Sequence, residues 1–475
     1  MAAAEAPEGT TAQLARWAAD FRLTDAPREV VERMKALVLD LLRVVTVGAQ
    51  LPWSKAARRV ALSLGGNGTS SVLLFGDRLD AARAAFVNGA YAHACDLDDT
   101  HVGSMHHPGA SVLPAVLAVA ERENLGGPAL LEAAICGYEA SLRIGLAVQP
   151  YMFQRGFMAT PTCGTLGAAL AAGKLLKLNA GDLAGTLGAA STYAGGLAQF
   201  YKSGSFIKRI NGGKAAECGV LAALLTREGI WGPRDILEGK EAGFFRAFAE
   251  KADATKVTGD LGRGFRLMEV STKIHAGAGR LQASNDAGLE LAAEHKLTPA
   301  QIVDVEVGIP KVIQGMLTKV DPPDLQSAQL SVPFSLAMAL SLGSTRGPRA
   351  GMRREDYETA LADPAVRALS TRVRCVVDAE IEAMTNTEEV PSRVTLKLQD
   401  GRELVARVAH PRGSPHRRMA WDELSELFRD TVSDALPADA ISRVLDAVAA
   451  LDGKATARDI TSAFRATLAW QGRNT

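Results

Sequence analysis

The residues of this chain that could do chemistry are concentrated in a few segments. Between His93 and Gly109 the sequence reads HACDLDDTHVGSMHHPG and holds four of the eight histidines together with three aspartates. Asp96, Asp98 and Asp99 could supply a general base, a metal ligand or the caps of a turn, and His101, His106 and His107 place imidazoles that titrate near neutral pH beside them. The carboxylates stand at i, i+2 and i+3, and HEXXH-like helical spacing is missing, so acid/base work without a metal is the expectation. A second segment, Gly204–Lys214 (GSFIKRINGGK), combines glycines with Lys208, Arg209 and Lys214. A glycine-rich turn that presents cations suits an anionic group, because backbone N–H donors and side-chain charge act together. A third, Ser271–Arg280 (STKIHAGAGR), brings Lys273, His275 and Arg280 to a change of sequence texture where a cleft between domains could form. Arg155 and Gly156, before Phe157, form a fourth.

Several reaction classes fall away. The stretch from Gly167 to Leu175 approaches a phosphate-binding loop but has one residue too many and lacks the Ser/Thr that would hold magnesium. There is no GxSxG elbow and no GxGxxG between a strand and a helix, which argues against a serine hydrolase and a dinucleotide enzyme. Across 475 residues, 53 basic side chains balance 53 acidic ones, which disfavours nucleic acid as a partner. Five dispersed cysteines without a CxxC pair suit a reduced, cytoplasmic chain and not an iron–sulfur cluster. No secretory leader and no uninterrupted apolar run of membrane-spanning length stands out, so no membrane partner is expected.

The elements that must position these residues are mostly helical. Apolar residues recur at helical spacing from Ala12 to about Gln50, and helical patterns continue from Ala81 through Arg122, Leu130 to Val148, Thr165 to Leu176, Ala180 to Lys202 and Gly213 to Glu228, with a turn at Gly65–Gly68. With 47% hydrophobic but only 5% aromatic residues, and alanine and glycine plentiful, these helices can approach one another closely. Beyond about Met268 the texture changes. Gln301–Ile309 alternates with period two, and Ser392–Leu398 and Arg402–His410 flank a turn containing Asp-Gly, a hairpin signal. Helical patterns lie between them, at Ser331–Leu342 and Asp356–Leu361, and return from Trp421 to the end. The expected fold is mainly α with an inserted α+β domain: a discontinuous all-helical domain (residues 1–268 and 413–475) and an α+β lid domain (residues 269–412).

With these segments in view, the chain resembles the MmgE/PrpD family, which includes 2-methylcitrate dehydratase, cis-aconitate decarboxylase and iminodisuccinate epimerase. The run AAFVNGAYAHACDLDDTHVGSMHHPGASVLPAVLAVAE (Ala84–Glu121) carries the most specific likeness. Arg155–Leu176, Ile207–Pro233, Ser271–Leu291 and Ala328–Leu340 follow in the family's order, so the likeness spans nearly the whole chain. It implies a helical domain built from both chain ends, an α+β lid, a homodimer, and a cleft between domain and lid. It further implies action on a small carboxylic acid with neither metal nor organic cofactor. The family's Asp and Thr of the DxDDT pattern fall on Asp96 and Thr100, its histidine before proline on His107, and its two lysines on Lys208 and Lys273.

Three family histidines are missing: Met158, Asn211 and Gln282 stand near their places, and none of these titrates near neutrality. In the implied chemistry a proton leaves a carbon beside a carboxylate, and cations make the enolate-like dianion accessible. Lys208 and Lys273, with Arg209, would hold the charge. His107 would carry the proton, Asp96 would abstract it or orient His107, and Thr100 would position a substrate oxygen. His106, His275 and Met158 join Lys273 and Arg209 as expected substrate-binding residues. Dehydratase-like elimination is the leading expectation, with decarboxylation and epimerisation as branches from the same intermediate. Met158, Gly277 and Ala278 would enlarge or de-charge the pocket and suit a larger, less charged substrate. A scaffold that binds a ligand without turnover is the remaining alternative.

Overall fold

The computed structural model describes residues 8–65, 67–200, 205–347 and 351–474. Gly66 of the expected Gly65–Gly68 turn, and Lys202 and Gly204 of the expected helix and glycine-rich turn, lie outside the described residues. The chain is mostly helical with a small mixed sheet, as the sequence predicts. Its centre is a packet of small-residue helices: Ala81–Ala92, Gly109–Arg122, Gly127–Val148, Ala159–Leu175 and Asn211–Arg227. Nearly every residue of Gly109–Arg122 is buried, in keeping with a helix apolar on all sides. The long Arg28–Gly48 helix packs on this centre and receives the Trp421–Val432 and Ala438–Ala449 helices from the other end of the chain.

Glycines set how closely these helices approach. A Cβ on Gly213 would lie 2.1 Å from the Phe86 carbonyl oxygen and 2.7 Å from the Ala90 nitrogen, and one on Gly89 would lie 2.6 Å from Gly213 Cα. Ala81–Ala92 and Asn211–Arg227 therefore touch backbone to backbone. The paired glycines of GSFIKRINGGK serve this crossing. Gly212 and Gly213 lie buried in the first turn of a helix, and Lys214 turns outward to pair with Glu217 at 3.0 Å.

The expected helical run from Ala81 to Arg122 is two helices. The first stops at Ala92 and the second begins at Gly109, and the loop between them carries the histidine-rich segment. Asp96 (φ 56°) and Met105 (φ 51°) there adopt the left-handed conformation, which no helix can carry and which aspartate tolerates better than most residues. The helix from Ala180 ends at Ser191, well short of Lys202.

The strands fall into two sheets. A small ribbon pairs β1 (Ser70–Ser71) with β2 (Arg78–Leu79). The main sheet contains β3 (Ile302–Ile309), β4 (Val373–Val377), β5 (Ser392–Leu398) and β6 (Glu403–Val408) in the order β4-β3-β5-β6. The β5–β6 hairpin forms at its Asp-Gly turn, β5 pairs antiparallel with β3, and β4 joins β3 in parallel. The Gln282–His295 helix packs on β5 and β6, and Val332–Arg346 packs on β4. No helix among the described residues is long and apolar enough to cross a membrane.

Replacing Gly213 by alanine must push two helices apart at a backbone contact. The expected cost is about 1–3 kcal/mol, read as a lower thermal unfolding midpoint of the Gly213→Ala chain; an unchanged midpoint would contradict the close crossing.

Candidate active site

The histidine-rich loop, mostly buried, joins the Ala81–Ala92 and Gly109–Arg122 helices. Asp96 sits at its inner end, 1% exposed. Its left-handed backbone turns carbonyl and carboxylate together toward two buried lysines. Lys208 Nζ lies 2.5 Å from Asp96 Oδ2. Lys273 Nζ donates to Asp96 Oδ1 at 2.9 Å, to the Asp96 carbonyl at 2.6 Å and to the Gly277 carbonyl at 3.2 Å. Burial opposes charge on Asp96, but the two ammonium groups outweigh it and hold the carboxyl well below the usual carboxylate range. Burial, joined by Arg209 and Lys273, brings the Lys208 ammonium below its ordinary value against the pull of Asp96.

Each lysine is held from behind. Lys208 lies in the short Phe206–Ile210 turn, where Phe206 stacks on Trp53 at 4.9 Å between ring centroids and the Trp53 indole N–H donates to the Ala94 carbonyl at 3.0 Å. Arg209 packs over the Trp53 ring and donates to Gln329 Oε1 at 2.7 Å, while Gln329 Nε2 donates to the Cys95 carbonyl at 2.8 Å. The Lys273 carbonyl accepts from Arg43 at 2.9 Å, and Arg43 is itself paired with buried Asp40.

The other two aspartates have different work. Asp99 accepts from the Gly109 amide at 2.9 Å and the Tyr138 hydroxyl at 2.8 Å, so it anchors the start of the next helix. Burial pushes its carboxyl up to about 7. Asp98 lies 2.7 Å from His93 Nδ1 and 3.5 Å from His107 Nδ1. Burial again works against its charge, and the neighbouring His93 and His107 hold it below the usual range.

His107 Nδ1 is 3.0 Å from the Asp99 carbonyl oxygen. A carbonyl only accepts, so Nδ1 carries the proton and Nε2 is left with its lone pair for the cavity that His107 lines. Burial is the main reason that its pKa falls to about 3, so the resting imidazole is neutral and does not sit half-protonated at neutral pH. His93, Asp98 and His107 could bring one ligand atom each within 4.8 Å of one another, the group among the described residues with spacing for a metal ion. His107 Nδ1 faces the Asp99 carbonyl and His93 Nδ1 faces Asp98 Oδ2, whereas buried His93 Nε2 and Asp98 Oδ1 meet no hydrogen-bond partner among the described residues.

The cavity measures about 670 Å³ including its open mouth, within the usual range for small-molecule sites. Asp96, Thr100, His107 and Lys208 give it a polar floor, and Met158 stands in its wall. Of the remaining expected residues, Lys273 and Arg209 do not line the cavity; Lys273 donates to Asp96 and Arg209 to Gln329. His106 and His275 do not line the cavity. His106 is fully buried with neither ring nitrogen hydrogen-bonded. His275 Nδ1 accepts from the Met352 amide at 3.2 Å and Nε2 faces Asp286 at 2.8 Å, so its partners are structural. Gln282, near the place of a family histidine, clamps the His275 backbone from both sides, at 3.1 and 3.0 Å. Asn211 reaches Met158 Sδ at 3.6 Å.

Arg280, Phe153, Met105, Met316, Leu317 and Leu330 also line the cavity. Arg280 was visible in the sequence as a cation near Lys273. The apolar members carry no motif, and only the folded chain brings them together.

Comparison with known proteins adds an independent result. The MmgE/PrpD N-terminal domain model matches residues 12–256 and the MmgE/PrpD C-terminal domain model matches residues 275–453. The chain is 27% identical to the cis-aconitate decarboxylase-like protein oryM of Aspergillus oryzae (strain ATCC 42149 / RIB 40), over 96% of this chain and 97% of that protein. It is 27% identical to cis-aconitate decarboxylase of Aspergillus terreus, over 94% of each. It is 26% identical to cis-aconitate decarboxylase of Homo sapiens, over 90% of this chain and 88% of that one.

The raised pKa of Asp99 has a consequence for stability. Folded Asp99 keeps a proton up to about pH 7, whereas the unfolded chain releases it near pH 4, so this group lowers stability as pH rises between those values and has no further effect above. The depressed pKa of His107 acts in the opposite direction, since only the unfolded chain binds its proton. An Asp99→Asn chain can still accept from the Gly109 amide through Oδ1 and can donate its own N–H to the Tyr138 oxygen, and it has no Asp99 titration. Relative to wild type it should gain on the order of 3–5 kcal/mol between pH 4 and pH 8, measured by urea unfolding at both. An equal pH dependence in the two chains would refute the assignment.

Proposed function

The chain belongs to the MmgE/PrpD family, and from that premise we propose that it is a lyase acting on a carboxylic acid through an enolate-like intermediate, with decarboxylation as the leading reaction. The relatives with full-length similarity support decarboxylation ahead of the dehydratase-like elimination that the sequence motifs favour. The observation that carries the reading is the arrangement of Lys208, Asp96 and His107 around one cavity floor. Asp96 is shared by two buried lysines, Lys208 and Lys273, so the cluster holds one more amine than carboxylate. A substrate carboxylate set against Lys208 completes the balance.

The chemistry follows from that placement. Loss of CO₂ breaks a carbon–carbon bond and leaves its electron pair on the carbon skeleton, delocalised into the retained carboxylate as a dianion. Lys208 stands where this charge develops, in a dry site where a fixed cation is worth far more than in water. The bound carboxylate also raises the proton affinity of the neutral His107, whose Nε2 takes a proton from solvent water and delivers it to the carbanion carbon. Asp98 beside Nδ1 steadies the resulting imidazolium. Thr100, on the same floor, would donate to a carboxylate oxygen. Run in the other direction, neutral Nε2 removes a proton beside a carboxylate, which is how elimination or epimerisation would begin on the same floor.

The test is incorporation of deuterium from heavy water next to a carboxylate, followed by NMR over a panel of di- and tricarboxylic acids that includes cis-aconitate. Wild type should label at least one acid or its product. His107→Gln and Lys208→Met should each slow labelling about 10²–10⁴-fold with an unchanged circular dichroism spectrum. Labelling at the wild-type rate in both variants would sink the site assignment, and no labelling of any acid by wild type would favour a binding protein.

A further inference from the structure

The cavity's walls differ from its floor in a way that bears on what it accepts. Three separate stretches of chain supply them: Met105 from the histidine-rich loop, Phe153 and Met158 from the segment before the Ala159–Leu175 helix, and Met316, Leu317 and Leu330 from the α+β part. All six side chains are apolar, and three are methionines, whose unbranched, polarisable chains mould to ligands of irregular shape. Met158 is almost fully buried, and its sulfur meets the Asn211 amide at 3.6 Å, which fixes it in the wall.

Charge is scarce by comparison. Among the described lining residues the lysine and arginine side chains are Lys208 and Arg280. Lys208 is largely committed to Asp96, and Arg280 lies beside Met316, its guanidinium 3.6 Å from Sδ. His101 also reaches the cavity, but its two ring nitrogens are engaged by Ser104 at 2.8 Å and Glu269 at 3.0 Å. Cationic side chains in the described lining are thus few beside the apolar ones. A third carboxylate would have to be stripped of water against methionine and leucine side chains with no cation to meet it, a costly arrangement.

We infer that the substrate is a mono- or dicarboxylic acid bearing an uncharged apolar arm, and that Met158 and Met316 select for that arm. The inference rests on the carboxylic-acid chemistry proposed above, but it concerns the walls, not the floor, and can fail separately.

Binding by titration calorimetry to the full chain tests it, with 2-methyl-, 2-propyl- and 2-butylsuccinate against tricarballylate. All four share the succinate core, and tricarballylate carries a carboxymethyl group where the others carry alkyl. Affinity should rise about three- to fourfold for each added methylene, and 2-butylsuccinate should bind more than tenfold tighter than tricarballylate. Met158→Gln, close in size to the native side chain, should flatten the alkyl series; Met316→Gln provides the same test if the first variant does not fold. Tricarballylate binding as tightly as 2-butylsuccinate, or an alkyl series without slope in wild type, would overturn the inference. Heavy-water labelling separates the two proposals. An alkyl preference without labelling of any acid would leave the wall assignment standing and remove the chemistry. Labelling of tricarboxylates without an alkyl preference would do the reverse.

Discussion

The site depends on one buried carboxylate shared between two buried ammonium groups. Asp96 comes from the loop after the Ala81–Ala92 helix, Lys208 from the turn before Asn211–Arg227, and Lys273 from the chain leading into the α+β part. Removing charges from water costs several kcal/mol each, and an apolar replacement of the whole cluster would often be as stable. Removing only one partner is different. Asp96→Asn would leave two ammonium groups together in a dry interior, a loss of about 3–5 kcal/mol for a broken buried pair. Such a cluster is a poor device for stability alone. In the proposed reaction its use would be to fix positive charge beside the cavity, already buried, so that little reorganisation remains when an anion forms.

The surrounding structure keeps that charge in place. Trp53 and Phe206 brace the Lys208 turn, Arg43 holds the Lys273 backbone, and Gln329 ties Arg209 to the Cys95 carbonyl. Beneath them, the glycine contact between Gly89 and Gly213 lets two helices close to backbone distance and brings Lys208 within reach of Asp96. The glycines and the lysine are neighbours in sequence for this reason. The glycine pair sets the helix spacing and Lys208 uses it, so these glycines serve packing.

What could be read from the sequence follows the physical range of each signal. Dense clusters of titratable residues are local in sequence, so the His93–Gly109 loop and the roles open to Asp96 and His107 could be seen directly. The β5–β6 hairpin was legible because its turn and alternation are local as well. β4 was not: it is five residues long, lies at the sheet edge and carries the exposed Arg374, so its alternation is weak and its pairing with β3 is distant in sequence. His106 and His275 look like site residues by type, but their surroundings are set by tertiary packing that turns them away from the cavity. The resting neutrality of His107 also comes from burial, which no spacing of residues encodes. The methionine-rich wall assembles from three distant segments of ordinary apolar residues, which carry no signal until they are folded together.

A crystal structure of the chain with 2-butylsuccinate bound would show whether the Asp96–Lys208–Lys273 cluster receives a substrate carboxylate beside His107. One carboxylate is expected within hydrogen-bonding distance of Lys208 Nζ, with the adjacent carbon facing His107 Nε2 and the butyl arm against Met158 and Met316. A ligand whose carboxylates both avoid Lys208, or one seated outside this cavity, would contradict this placement.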